Sequence, residues 1–304
     1  MGIRYLKRKE IDAGKWDQVV AASSAETPYP CSWYLDATAL HWSALVLNDY
    51  ELIMPLVWKR KAGIPYIYQP VLCQQLGILG RRTPDLYESK EFVLAMRKRF
   101  RLGSLQFNRG NLVEEQKGSR VWDRSNFILP LGADYEKLEA GYSQNTRRNL
   151  KKAMESAHDF DASVGLEELL ALKKEHAAKD YSDRWYGKIR EQLEAIQQHG
   201  HGEIHGLRRD GSLIAAVFFA FTRTRIIYLL SVSDEQGKEE RAMFRIVDQL
   251  IRREAASERS LDFEGSDLQG VARFFAGFGA RAETYQALSF SRFPFSYLNR
   301  KVNG

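Results

Sequence analysis

The chain has few cysteines and no long hydrophobic run. Its 304 residues include only Cys31 and Cys73, which excludes a disulfide framework and a four-cysteine zinc site. The longest apolar runs, residues 214–221 and 226–230, fall far short of the roughly 20 residues that a membrane-spanning helix needs. The charged start of the chain is not followed by an apolar stretch, which argues against a secretory signal. We therefore expect a cytoplasmic protein.

A large excess of one charge sign is also absent. Lys and Arg number 45 and Asp and Glu number 39, so the net charge is +6. This balance suits an anionic substrate but is well below the charge density of a dedicated nucleic-acid-binding protein. Hydrophobic residues make up 44% of the chain and aromatic residues 12%, which is enough for a packed core. At roughly 150 residues per domain, the length suggests two domains or one large domain.

A gap-free internal repeat indicates two similar domains. Residues 44–71 align with residues 205–232, and each copy has three apolar or β-branched runs separated by turn signals. This pattern predicts a three-stranded antiparallel meander in each half. After the first meander we expect a helix at 91–97 and a strand at 104–108, and after the second a helix at 242–251 and a strand at 260–264. Two β-β-β-α-β copies predict two α/β domains, which we place at 1–135 and 136–304.

Three motifs resemble those of the FemAB-like acyltransferases. Residues 145–153, Asn-Thr-Arg-Arg-Asn-Leu-Lys-Lys-Ala, are similar to the TRRN helix of that family. Residues 261–266, Leu-Asp-Phe-Glu-Gly-Ser, together with the aromatic segment 274–279, are similar to its DFGGS segment and the aromatic run that follows. A weaker similarity lies at 27–35. The resemblance covers roughly residues 28–285, which is nearly the whole chain.

This resemblance implies an α/β fold with two tandem GNAT-like (acyl-CoA N-acyltransferase-like) domains, each a mixed, mostly antiparallel sheet flanked by helices. It implies an N-acyltransferase that moves an acyl or aminoacyl group to an amine. No tightly bound cofactor is expected, and acyl-CoA or aminoacyl-tRNA would be the co-substrate. The acceptor would be an anionic small molecule, such as a nucleotide-linked sugar or a cell-envelope precursor. A non-catalytic ligand-binding protein on the same scaffold and an RNA-binding protein that uses the basic helix are the alternatives.

The resemblance also implies where the acyl donor binds. In the GNAT layout two neighbouring strands splay apart, and backbone N–H groups in the opening meet the acyl carbonyl. The donor-binding residues implied in this way are Leu230, Ser231, Val232, Arg241, Ala242 and Met243. The turn at 233–242 has one glycine and four acidic residues. Acidic side chains suit a helix N-terminus but oppose a phosphate there, which predicts weak coenzyme A binding.

Amide formation needs a neutral amine, and therefore a group that removes its proton. Glu264 and Asp267 are the candidate catalytic bases for removing that proton, and the resemblance implies that residues 261–265 face the opening. The alternatives are a solvent-facing carboxylate at a strand end for Glu264 and a helix cap for Asp267. Three histidines between 199 and 205 are better explained by a polar turn than by a metal, so no metal site is expected.

Basic, amide and aromatic side chains supply a candidate acceptor site. Its proposed members are Arg147, Arg148, Lys151, Gln74, Gln75, Trp33 and Tyr181. Arg147 and Lys151 share one face in the first turns of a helix, where positive charge opposes the helix dipole unless an anion compensates it. The two glutamines would line a cleft between the domains, and the two aromatic residues would form its wall. Alternatively, the basic residues form a solvated surface, the glutamines cap the backbone, and the aromatic residues pack in the core.

Overall fold

The chain forms two compact units. The computed structural model describes residues 2–156, 159–177, 179–265 and 269–292. One unit comprises the chain up to Ser125 and the segment from Thr284 onward, and the other comprises Asn126–Glu283. The boundary expected at 135/136 lies inside the second unit, and the later part of the expected second domain belongs to the first unit. None of the helices in the described ranges has the length and apolar character needed to cross a membrane.

Strands and helices alternate along both units. In chain order the elements up to residue 106 are β1 (Ile3–Lys7), a 3₁₀ turn (Arg8–Glu10), α1 (Ala13–Ala22), α2 (Ser32–Thr38), β2 (His41–Leu47), β3 (Leu52–Lys61), β4 (Ile64–Ile67), β5 (Leu79–Gly80), α3 (Leu86–Arg99) and β6 (Leu102–Gln106). The elements that follow are β7 (Ser119–Pro130), α4 (Tyr135–Ala140), α5 (Gln144–Glu155), β8 (Asp159–Asp161), α6 (Leu166–Glu175), α7 (Asp183–Gln198), β9 (Gly202–Arg209), β10 (Ser212–Phe221), β11 (Arg225–Ser233), α8 (Glu235–Glu239), α9 (Ala242–Glu254), β12 (Ser260–Asp262), α10 (Gln269–Gly277) and β13 (Arg281–Ser291).

The two units share one strand order. It is β1-β2-β3-β4-β6-β13 in the first unit, with β5 against β3, and β8-β9-β10-β11-β12-β7 in the second. In both units the first four strands pair antiparallel, the fourth and fifth pair parallel, and the fifth and sixth pair antiparallel. The sixth strand comes last in the chain in the first unit, as β13, and comes before the other five strands in the second unit, as β7. These are mixed, mostly antiparallel sheets, as predicted.

The repeat predicted from the sequence matches equivalent strands. The offset between the two copies, 205 minus 44, brings β2, β3 and β4 onto β9, β10 and the start of β11. The turn between β9 and β10 has Asp210 and Gly211 at φ values of 50° and 82°. Two successive positive φ angles are the signature of a type I′ hairpin, which explains the Asp-Gly pair. Both predicted meanders are confirmed.

Helices cover both faces of the second unit's sheet. On one face the apolar side of α9 packs against Val217 and Phe219 of β10. Phe218 points to the opposite face, because successive side chains of a strand alternate. There its ring and Ile196 of α7 both lie close to Gly202. The sheet therefore lies between two helical layers: α6 and α7 cover one face, and α9 covers the other. On that second face α5 packs against α9, and α10 packs against α5.

The two most specific sequence motifs meet at the start of α5. The Ser143 N–H donates to the Gly277 carbonyl at 2.8 Å, and the rings of Tyr142 and Phe278 meet edge to face at 5.2 Å between centroids. A Cβ atom at Gly277 would lie 2.4 Å from Oγ1 of Thr146. The glycine therefore lets α10 approach the N-terminus of α5 closely, and this contact couples the two motifs.

We predict that Gly277→Ala destabilises the protein. The added methyl group must displace Thr146, and overpacking of this kind costs about 1–3 kcal/mol of the free energy of unfolding. Gly270→Ala in the same helix is the control, because nothing lies within 4 Å of its added Cβ. The control variant should be neutral or up to about 1 kcal/mol more stable. Urea unfolding of both variants checks this, and equal stabilities would show that the close approach carries no energy.

Candidate active site

Two strands of the second unit part at their C-terminal ends. β11 and β12 pair parallel only from Arg225 with Ser260 to Ile227 with Asp262. The chain after β12 then turns to β7, where the Phe263 N–H donates to the Phe127 carbonyl at 2.9 Å. In the described part of the chain, no strand pairs with residues 228–233 on the side away from β10. This gap between β11 and β12 is called the strand opening below.

The hydrogen-bond alternation of β10 and β11 decides which peptide groups face the strand opening. The Asp234 N–H donates to the Ile214 carbonyl at 3.0 Å, so this opposed pair is hydrogen-bonded. Alternate pairs in an antiparallel ladder are not hydrogen-bonded. Val217 lies opposite Ser231, three positions along from the Ile214–Asp234 pair, so Val217 and Ser231 are not hydrogen-bonded to each other. The peptide groups of Ser231 therefore point into the strand opening, whereas those of Leu230 and Val232 belong to the ladder with β10.

A lysine that the sequence analysis did not identify reaches the strand opening. Lys173 of α6 is half-buried, and its Nζ donates to the Ser231 carbonyl at 2.8 Å. Burial lowers the pKa of this amine. The hydroxyl of buried Tyr228 hydrogen-bonds the Ser231 side chain, and burial raises the pKa of this phenol. An amine and two hydroxyl groups thus surround the exposed peptide of β11.

Aromatic side chains lie beside Lys173. Tyr181 stacks on Trp185 with ring centroids 4.0 Å apart, and Tyr186 meets Trp185 edge to face at 5.0 Å. The Tyr186 hydroxyl donates to the Lys173 carbonyl at 3.4 Å. The predicted wall residue Tyr181 is therefore linked to α6 through Trp185 and Tyr186.

A buried ion pair fixes the β12 side. Arg225 Nη1 and Asp262 Oδ2 are 2.6 Å apart, and both side chains are buried. The other oxygen of Asp262 accepts the Glu264 N–H at 2.8 Å. Glu264 is half-buried and has a φ of +59°, the left-handed conformation that favours glycine, which stands here in the related motif. Asp267, the second candidate base, lies outside the described residues.

The turn before α9 is a short helix, α8, rather than a glycine-rich loop. Its glycine, Gly237, allows close packing, because a Cβ atom there would lie 2.4 Å from the Ile214 carbonyl oxygen. Two of the four acidic side chains have basic partners: Glu240 pairs with Arg209, and Glu235 with Lys238 at 2.6 Å. The acidic charge that opposes a phosphate is therefore partly neutralised.

The predicted donor residues at the start of α9 have different environments. Arg241 precedes the helix with a φ of 61°, is exposed, and donates from Nη1 to the Lys238 carbonyl at 2.9 Å. Ala242 is fully buried and Met243 half-buried. The exposed Arg241 is the member of this group whose side chain is placed to meet a soluble anion.

The basic helix α5 lies on the opposite face of the sheet from Lys173. The Arg147 guanidinium donates to the Ala140 carbonyl at 2.7 Å, at the C-terminal end of α4. Arg148 donates to Oδ1 of Asn145 at 2.9 Å, within its own helix. Lys151 is exposed. The dipole of α4 thus compensates Arg147 without an external anion, and the structure separates this group from Tyr181.

The equivalent opening in the first unit is filled by its own chain. β4 and β6 pair only at Ile67 and Gly103. Beyond that point the side chain of Gln69 accepts the Gln106 N–H at 3.1 Å through Oε1, and its Nε2 donates to the Cys73 carbonyl at 2.6 Å. The chain then returns, and the Leu76 N–H donates to the Gln106 carbonyl at 2.9 Å. The β6 side of this opening is therefore occupied.

The remaining predicted acceptor residues lie around this filled opening. Gln75 is buried and donates from Nε2 to Oε1 of Gln74 at 2.8 Å. Trp33 is half-buried and meets Tyr34 edge to face at 5.8 Å. Tyr34 in turn donates its hydroxyl to the Leu72 carbonyl. These side chains support the segment that closes the first unit's opening.

The histidines singled out in the sequence bond to nearby groups. Nδ1 of His199 lies 2.8 Å from the Ala195 carbonyl, and Nε2 of buried His205 lies 2.9 Å from Glu203. Within the described ranges, no group of three or more His, Cys, Asp or Glu side chains is arranged to hold a metal ion.

One sequence signal could have identified Lys173. The buried face of α6 includes Leu169 and Leu170, and Lys173 follows them at the next positions of the same helical stripe. A lysine that continues an apolar stripe is expected to be partly buried. No comparable signal marks Gln69, because its role depends on contacts with β6 far along the chain.

Part of the chain matches a known family. Residues 141–274 match the model for the acetyltransferase (GNAT) domain, and this segment lies entirely within the second unit. It contains α5, the strand opening and α9. No curated protein matches the chain.

Several solved structures are similar over nearly their full length. FemX has a TM-score of 0.69 at 12% identity, over 98% of this chain and 99% of FemX. A tandem GNAT protein from the clavulanic acid biosynthesis pathway has a TM-score of 0.57 at 12% identity, over 95% and 98% of the two chains. L-PGS from Bacillus licheniformis has a TM-score of 0.56 at 11% identity, over 96% and 98%. At these identities the likeness shows the fold.

We predict that Arg147→Ala lowers stability, because α4 loses its C-terminal hydrogen bonds. A hydrogen bond of this kind contributes about 0.5–1.5 kcal/mol to the free energy of unfolding. Arg148→Ala is the matched control, since it removes the same charge from the same helix but only a local bond to Asn145. Thermal unfolding of the two variants checks this. A melting temperature for Arg147→Ala at or above that of the control would contradict the capping role.

We also predict that Glu264→Gly is more stable than Glu264→Ala. Both variants lose the same side chain, but only alanine retains the cost of a left-handed backbone, about 1 kcal/mol. Glycine loses part of this advantage through the greater freedom of its unfolded chain. Urea unfolding measures the difference. Equal stability of the two variants would show that the positive φ at this position stores no strain.

Proposed function

We propose that this chain, which has the tandem GNAT fold and a GNAT domain in its second unit, is an N-acyltransferase that binds its acyl donor in the strand opening. The observation that carries the proposal is the Ser231 peptide, which is turned away from β10 at the point where β12 diverges. A strand edge of this kind offers hydrogen bonds to an extended acyl donor. The motif that begins at Leu261, which resembles that of FemAB-like proteins, borders this opening and supports the same conclusion.

The opening supplies the elements that direct acyl transfer needs. The Ser231 N–H is placed to donate to the acyl carbonyl and to stabilise the oxyanion as the amine attacks. The amine forms the new C–N bond, the thioester or ester bond to the donor breaks, and the leaving group departs with the electron pair. The proton of the attacking amine goes to a base, for which we propose Glu264 at the β12 side. This sequence requires no covalent enzyme intermediate.

The two faces of the opening suit different substrates. The donor, acyl-CoA or aminoacyl-tRNA, would lie on the α9 side, where the helix N-terminus and Arg241 attract anionic groups. One of the similar structures is described as being without AcCoA, which makes acetyl-CoA the first donor to test. The acceptor amine would approach from the α6 side, past Tyr181. We propose an anionic acceptor, such as a nucleotide-linked sugar or a cell-envelope precursor. Arg148 and Lys151 lie on the α9 side of the sheet, so they are not assigned to this approach.

Only the second unit is proposed to bind a donor. In the first unit Gln69 and the returning segment fill the equivalent opening on its β6 side, so a donor would have to displace several hydrogen bonds. We assign that unit a supporting role in which Gln74, Gln75 and Trp33 hold the closed segment.

A non-catalytic ligand-binding protein is the second candidate. The observation that favours it is the exposed Glu239 at the end of α8, next to the proposed donor phosphates. On this view acetyl-CoA binding remains weak, with a Kd of about 100 μM or above, near −5.5 kcal/mol, and no thiol is released in the presence of amines.

We predict that Ser231→Pro abolishes transfer without unfolding the protein. Proline removes the N–H that faces the opening but no ladder bond to β10. The loss of one oxyanion donor costs about 10²–10³-fold in rate. The measurement is coenzyme A thiol release from acetyl-CoA with a mixture of amino acids, amino sugars and nucleotide-linked amino sugars.

Val232→Pro is the matched control for this test. Its N–H lies in the ladder with Ala216, so this variant should lose stability. Thermal unfolding establishes that Ser231→Pro remains folded. A folded Ser231→Pro variant with wild-type thiol release would overturn the proposed donor site.

A further inference from the structure

Two adjacent lysines of α6 have opposite environments. Lys173 is half-buried, its Nζ lies 2.8 Å from the Ser231 carbonyl oxygen, and no ion pair joins it to a carboxylate of the described residues. Lys174 is exposed and forms an ion pair with Asp183 at 2.7 Å. Burial lowers the pKa of Lys173, whereas the bond to Asp183 raises the pKa of Lys174. At neutral pH a larger share of Lys173 is the neutral, nucleophilic amine.

The position of Lys173 matters because of the peptide it contacts. The Ser231 peptide is the group proposed to bind the acyl carbonyl, and this inference therefore rests on the proposed function. A donor whose carbonyl bonds to the Ser231 N–H would place its acyl carbon beside an amine already held at the same residue. Proximity of this kind raises the effective concentration of the nucleophile by orders of magnitude over that in free solution.

We propose that Lys173 is itself an acyl acceptor and becomes N-acylated by the thioester donor bound in the strand opening. The lone pair of Nζ attacks the acyl carbon, the C–N bond forms and the C–S bond breaks. The thiol of the donor leaves with the electron pair and takes up the proton released by the amine. The product is a stable amide that occupies the opening, so the reaction is limited to one acyl group per chain.

The acylation has a regulatory consequence. The amide retains one N–H that can donate to the Ser231 carbonyl, but it loses the charge and adds a carbonyl and a methyl group at the entrance. In the acetylated protein the donor must compete with this group for the space beside Ser231. Acetyl-CoA turnover should therefore fall as the modification accumulates.

The experiment uses the full chain and acetyl-CoA. Calorimetry first records whether acetyl-CoA binds. Intact-mass and peptide mass spectrometry then follow acetylation with time in the wild-type protein, Lys173→Arg and Lys174→Arg. A parallel sample treated with trace acetic anhydride reports the intrinsic reactivity of both lysines without a donor site. Thermal unfolding confirms that the variants are folded.

We expect one acetyl group per chain at Lys173, with an occupancy at least about tenfold above that at Lys174, as proximity implies. It should be absent in Lys173→Arg and unchanged in Lys174→Arg. Acetic anhydride should label Lys173 faster than Lys174. Binding of acetyl-CoA without acetylation of Lys173, or equal acetylation of both lysines by acetyl-CoA, would overturn this inference and leave the proposed function standing. Absence of acetyl-CoA binding would overturn this inference and exclude acetyl-CoA as the donor of the proposed function.

Discussion

The divergence of β11 from β12 is the constraint on which the candidate active site depends. Three residue pairs hold the two strands together, and the buried pair of Arg225 and Asp262 lies at the ends of this contact. Removing either partner would leave a buried charge without compensation, which is strongly destabilising. Asp262 also accepts the Glu264 N–H, so the same carboxylate directs the chain away from β11 and toward β7. The exposed peptide of Ser231 follows from this geometry.

The two units show how one topology can be used in two ways. Both have the same strand order and the same short parallel contact between the fourth and fifth strands. In the first unit a glutamine side chain and a returning segment bond to β6, the fifth strand. In the second unit a lysine from α6 contacts β11, the fourth strand, through a single hydrogen bond to the Ser231 carbonyl. The difference lies in the segment after the fourth strand, which returns along the sheet in one unit and enters α8 in the other.

Much of the fold could be predicted because it depends on local and periodic signals. The gap-free repeat identified the two meanders, and the Asp210-Gly211 pair marked a hairpin whose φ angles require such residues. The site was less predictable, because its chemistry depends on contacts between distant segments. The charge of Arg147 suggested an anion, but the C-terminus of α4 compensates it. The roles of Lys173 and Gln69 depend on contacts with strands that are distant in the sequence, which the sequence alone does not reveal.

Hydrogen exchange of the backbone amides, with and without acetyl-CoA, tests the central claim most directly. If the strand opening of the second unit is the donor site, acetyl-CoA slows exchange in peptides that cover residues 228–233 and the start of α9. Exchange in peptides that cover residues 64–76 and 102–107 of the first unit stays unchanged. Slower exchange in the first unit, with none in the second, would contradict the account.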